Sequence, residues 1–159
     1  MQSAKLQLSI VIAVILSMLF VSSPGLSRDM QGWEKEGAYN KLYKASELDR
    51  LKCTVKKVTE VVPMKGMSPA VALVVDDGDG EEIMVHVGPK WFLGDAIGVN
   101  RGDKLKIRGS WAEIDGRDVF LASKIKKGDF FELKVRLTKD GTPFWTMTPE
   151  ELAREQAQQ

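Results

Sequence analysis

A chain of 159 residues with 23 basic and 22 acidic side chains is long enough for one domain with a real core and too short for two ordinary ones. So balanced a charge argues against a bulk nucleic-acid binder, whose affinity for a polyanion comes mainly from clustered Lys and Arg. One cysteine excludes an intramolecular disulfide, and one histidine without a partner motif leaves no readable nucleophile-base pair, so the chain reads as a non-enzyme.

Residues 1–27 have the makeup of a signal peptide: Lys5 in a basic n-region, an apolar run from Leu8 to Val21, and small residues Gly25 and Ser27 at a cleavage position. The run falls short of the roughly 20 residues a helix needs to cross a bilayer. The processed chain is expected to begin near Arg28, in the periplasm or outside the cell, with the membrane touched only by the leader before cleavage. Without Lys5 the 22 remaining basic residues balance the 22 acidic ones.

Residues 28–49 are polar and irregular but carry Trp33, Tyr39 and Tyr43, which suits a strap laid across the domain proper, residues 50–145. The first strand is predicted from Leu51 to Val62. Its inward set, Leu51, Cys53, Val55 and then Val58, slips phase across Lys56-Lys57, as a β-bulge would make it do. Cys53 is expected inside, behaving as a small hydrophobe. Pro63 to Pro69 is a loop, and strands over Ala70–Val75 and Glu82–Val87 flank Asp76-Asp77-Gly78-Asp79-Gly80, a hairpin turn that lacks the full pattern of a calcium loop.

In the third strand Ile83, Val85 and Val87 alternate with Met84 and His86, the period of a strand with one wet face. After the Gly88-Pro89 corner, Lys90 to Val99 suits a short helix. Lys104–Gly109 forms a fourth strand, and Trp111–Ile114 and Val119–Ile125 flank the hairpin signal Asp115-Gly116. Phe131–Leu137 alternates as a last strand. Lys104, Lys106, Arg108, Lys124, Lys126, Lys127, Lys134 and Arg136 make this half basic and read as solvated outer faces. Residues 146–159 form a polar tail in which Thr148-Pro149-Glu150-Glu151 starts a helix.

The elements add up to an all-β protein, a five- to six-stranded OB-like Greek-key barrel with a short helical insertion after strand three, a leading signal peptide and a short C-terminal helix. The runs Tyr39-Asn40-Lys41-Leu42-Tyr43, Pro63-Met64-Lys65-Gly66-Met67-Ser68, Val85-His86-Val87-Gly88-Pro89-Lys90-Trp91-Phe92, Arg108-Gly109-Ser110, Lys126-Lys127-Gly128-Asp129 and Gly141-Thr142-Pro143-Phe144-Trp145 resemble landmarks of a family of small exported bacterial proteins of OB fold. The resemblance implies export and a barrel, and no established catalytic activity.

Such barrels bind on one curved face, and the mouth here is expected to comprise Met84, His86, Lys90 and Trp91 beside the Pro63–Pro69 loop, taking an unidentified envelope protein or small ligand without a cofactor. The alternative is copper, held by the soft set Met64, Met67, Met84 and His86. Both readings place His86 on an exposed face. A His86 that instead held the Gly88-Pro89 corner by a hydrogen bond would be structural.

Overall fold

The alternation of apolar and polar residues produces six strands: β1 (Asp49–Val61), β2 (Ala70–Asp76), β3 (Glu82–Pro89), β4 (Lys104–Ile114), β5 (Arg117–Lys127) and β6 (Phe131–Lys134). The computed structural model describes residues 29–158, so the expected leader lies outside the described residues. The strands form one sheet in the order β3-β2-β1-β4-β5-β6 with antiparallel neighbours. β3 also pairs in parallel with β5, Val85 opposite Phe120 and His86 opposite Leu121. β1 to β5 are thereby linked in a cycle of hydrogen-bonded neighbours around a core that includes Val55, Leu73, Val75, Val85, Phe120, Leu121 and Ile125.

β1 reaches two partners because it is bulged. Its first half, Asp49 to Thr54, lies against β4, its second half against β2, and the register slips between Val55 and Lys57 as expected. Leu51, Cys53 and Val55 face inward. Val58, expected with them, is 37% exposed, because past the bulge the strand runs out toward the rim.

β4 is one strand where the sequence suggested two pieces. A bulge between Arg108 and Gly109 carries the chain through, burying both Gly109 and Ser110. The Ser110 hydroxyl accepts the Lys44 N–H at 3.1 Å, pinning the strap to the sheet. Gly109 is irreplaceable on space alone, since a Cβ there would lie 2.1 Å from the Leu121 carbonyl oxygen.

β6 stops at Lys134, short of Leu137, because the Val135 and Arg136 N–H groups both turn onto the Ser123 carbonyl. Helix α1 (Lys90–Leu93) is a single turn after β3, and α2 (Pro149–Ala157) ends the described chain. At α2 the Thr148 hydroxyl accepts the Glu151 N–H at 3.2 Å and the Glu151 carboxylate accepts the Thr148 N–H at 2.9 Å, the expected capping box.

The strap does lie across the sheet. Trp33, Tyr39, Asn40 and Tyr43 are buried, and the Trp145 indole donates to the Trp33 carbonyl at 3.0 Å. Arg136, expected outward with the other cations, is 2% exposed beneath them. Its guanidinium sits 4.7 Å from the Tyr43 ring centroid and 4.8 Å from that of Trp145. It donates to Asn40 Oδ1 at 2.8 Å and to the Gly141 carbonyl at 3.3 Å.

Candidate functional site

The four residues of the expected mouth lie in different surroundings. His86 is 5% exposed, because the strap covers what alternation marks as the wet face of β3. Its Nδ1 lies 3.2 Å from the Tyr39 hydroxyl and the two rings stack 6.0 Å apart, so its partner is the strap rather than the Gly88-Pro89 corner. Met84 is half-buried on the same strand. Lys90, at the start of α1, is held in ion pairs with Glu60 and, at 3.3 Å, Asp95. Trp91 is exposed and stands edge-on to Phe92.

Of the thioethers in the copper alternative, Met67 packs where a Cβ on Gly32 would stand, 2.5 Å away, and Met64 and Met84 are half-buried against the core. Among the described residues no three His, Cys, Asp or Glu are grouped as metal ligands. Cys53 is 7% exposed, and burial, reinforced by the Asp77 carboxylate, pushes its thiol up to about 11, far from a reactive thiolate.

Burial holds the His86 imidazole down to about 4, against an ordinary value of 6.5, so it is neutral in the native protein. The depressed value carries a pH dependence whose sign is fixed by linkage. As pH falls from 6.5 toward about 4 the unfolded chain takes up a proton that the native ring refuses, and stability drops. Below that window both states are protonated and this group adds no further loss. Urea unfolding between about pH 7 and pH 4.5 should lose roughly 2 to 3 kcal/mol in the wild type. His86→Asn, which keeps an acceptor for Tyr39 but does not titrate, should flatten that slope; an unchanged slope would show that His86 is solvated.

What the sheet does assemble is a cationic face. On the outer side of β1, β4 and β5, the groups Arg50, Lys52, Lys106, Arg108, Lys124 and Lys126 line a groove of about 420 Å³ floored by Leu51 and Ile107. The sequence showed each row separately, at alternate positions. The registers then set like against like: Arg50 faces Arg108 and Lys52 faces Lys106 across β1–β4, while Lys106 faces Lys126 and Arg108 faces Lys124 across β4–β5. Like charges directly opposite on neighbouring strands repel and destabilise a sheet. One carboxylate relieves them, Glu132 on β6, at 3.0 Å from Lys126 and 3.9 Å from Lys124.

Beyond this groove the concavity continues past Lys104 to the β2–β3 and β5–β6 turns, where its rim includes Asp76, Asp77, Gly128 and Asp129. Asp76 is paired with Lys56 at 3.3 Å. The Trp111 indole donates to Asp49 at 3.1 Å and packs edge-on to Phe120, its cross-strand partner.

These features define a small, mostly antiparallel β protein with six strands and one strongly cationic sheet face. The chain belongs to the MamS/MamX magnetosome protein family, whose model matches residues 47–131. That span runs from just before β1 to the first residue of β6 and contains all six groove cations. Neither the curated proteins nor the solved structures include a match to it.

Proposed function

We propose that this protein is an exported, non-catalytic binding module of the bacterial cell envelope, of OB-like barrel fold, that holds an anionic ligand on the outer face of β1, β4 and β5. The barrel reading is supported by the β1–β5 cycle, by the bulged β1 shared between two partners and by the helical turn after β3. Export rests on the composition of residues 1–27 and on the resemblance of the landmark runs to exported OB-fold proteins. Service at the magnetosome follows the family's description.

The observation that carries the ligand class is the set of four like-charged cross-strand pairs. A sheet that keeps such repulsion in its own fold gives up stability, and an anion laid across the rows turns that repulsion into attraction. Lys106 is the centre of the pattern, with Lys52 on one side and Lys126 on the other.

Titration with short-chain inorganic polyphosphate is expected to show binding at low salt that weakens tenfold or more between about 50 and about 200 mM, as counterion release requires. Lys106→Glu should remove most of that affinity and at the same time raise the melting temperature, because it converts two repulsive pairs into attractive ones. Wild-type protein that ignores polyphosphate at low salt, or a Lys106→Glu variant that binds equally well, would refute the reading.

A further inference from the structure

The β5–β6 hairpin ends in Gly128-Asp129-Phe130, and Phe130 is fully exposed. The exposure is not fraying, because the base of the tip is fastened. Lys127 donates to the Gly98 carbonyl at 2.7 Å and to Asp103 at 3.0 Å, and the next residue, Phe131, packs where a Cβ on Gly98 would stand, 2.5 Å away. The chain therefore fixes one aromatic ring outward while its neighbour is locked inward. Gly128 and Asp129 of the same tip line the concavity with Lys104, Lys106 and Lys126.

We propose that the cationic face docks on an anionic lipid bilayer, with the Phe130 tip entering the headgroup region while the rows of β1, β4 and β5 neutralise lipid phosphates. The proposal rests on the anion-binding reading of that face and names its ligand. A basic surface and an apolar tip are the two signals that together hold a protein at a membrane surface, where neither alone suffices. The carboxylates that line the concavity are Asp76, Asp77 and Asp129, of which Asp76 is engaged with Lys56, and Glu132 is engaged with Lys126; Asp79 and Glu81 follow on the β2–β3 turn and Glu82 at the start of β3, outside the lining.

A nucleic acid fits the same charges less well. Single strands are held by aromatic rings standing among the cations, on which bases stack. Here the groove between the cations is floored by Leu51 and Ile107, and no aromatic ring is among the described residues that line it. The free ring is at the tip, where a bilayer meets it and a base does not. The sequence suggested membrane contact through the leader alone; this face is a second contact, independent of the leader.

A probe at the tip separates the two contacts. Phe130→Cys in the full chain can be labelled with the environment-sensitive fluorophore NBD, and Cys53 will not compete because it is 7% exposed. Vesicles of phosphatidylcholine mixed with phosphatidylglycerol should shift the emission to the blue, and vesicles of phosphatidylcholine alone should not. The same label on Glu113→Cys, away from the tip, should stay in water with both. The double substitution Lys106→Glu with Arg108→Glu, which makes the middle row acidic, should weaken the vesicle response tenfold or more. A blue shift equally strong on neutral vesicles, or none on anionic vesicles, would overturn membrane docking. If polyphosphate still binds in that second case, the anion-binding face stands without the membrane; if neither binds, both readings fail.

Discussion

Arg136→Ala is expected to destabilise the protein by about 3 kcal/mol or more, because it strips two buried acceptors of a charged donor and leaves a cavity between two buried rings. The guanidinium lies between the faces of Tyr43 and Trp145 and ties Asn40 to Gly141, and among the described residues no carboxylate pairs with it. Burial pulls it down to about 10, because the charged form loses its water there. The cation stays because two ring faces and two oxygens replace its water. Hydrogen bonds to a charged group contribute about 1.5 to 3 kcal/mol each, so truncation orphans two strong acceptors and opens a slot between the rings. Arg136→Met refills the slot without the charge and should recover much of the loss, since a well-packed apolar replacement of a buried ion is often near neutral. Urea denaturation of the three proteins decides it. A cost below about 1 kcal/mol for the alanine variant would mean that the guanidinium is hydrated and the strap is not anchored there.

Gly109→Ala should be nearly as severe, about 3 kcal/mol or more, although it adds a single methyl group. The new Cβ would meet the Leu121 carbonyl oxygen at 2.1 Å and the Phe120 ring at 2.8 Å. The oxygen belongs to the backbone of β5, which cannot rotate aside, so the β4–β5 ladder itself must part. Soluble expression and thermal melting give the readout. By contrast Gly116→Ala at the β4–β5 turn meets no atom within 4 Å, though its φ of +71° makes the change a strained one. Equal losses at the two positions would locate the penalty in backbone conformation rather than in the close approach of β4 to β5.

Local chemistry made most elements legible from residues alone. The phase slip at Lys56-Lys57 predicted the β1 bulge, Asp115-Gly116 the β4–β5 hairpin, and Thr148 to Glu151 the α2 cap. Each of these signals involves neighbours in sequence. His86 was misread because alternation reports only which residues share a side of a strand, not what covers that side. Val85 faces the interior and His86 faces the strap, so both are buried. The covering ring, Tyr39, is 47 residues away. Arg136 was misplaced for a related reason: the strand breaks at Lys134, where both following N–H groups turn to Ser123, and alternation no longer applies. The cationic rows were each visible, but their confrontation depends on strand register, which only the folded sheet specifies.

The clasp between the two ends of the domain also constrains the order of events as the chain is made. Asn40 waits for Arg136, 96 residues later, and the Trp33 carbonyl waits for the Trp145 indole, 112 residues later. Closing loops of that length comes late and is slow relative to local pairing. A chain emerging from a ribosome therefore carries Trp33 and Tyr43 without their Trp145 and Arg136 partners until after its last strand has appeared. During that interval Trp33 and Tyr43 are part of the surface a holding chaperone would grip, and release becomes possible only when residue 145 has arrived to take them.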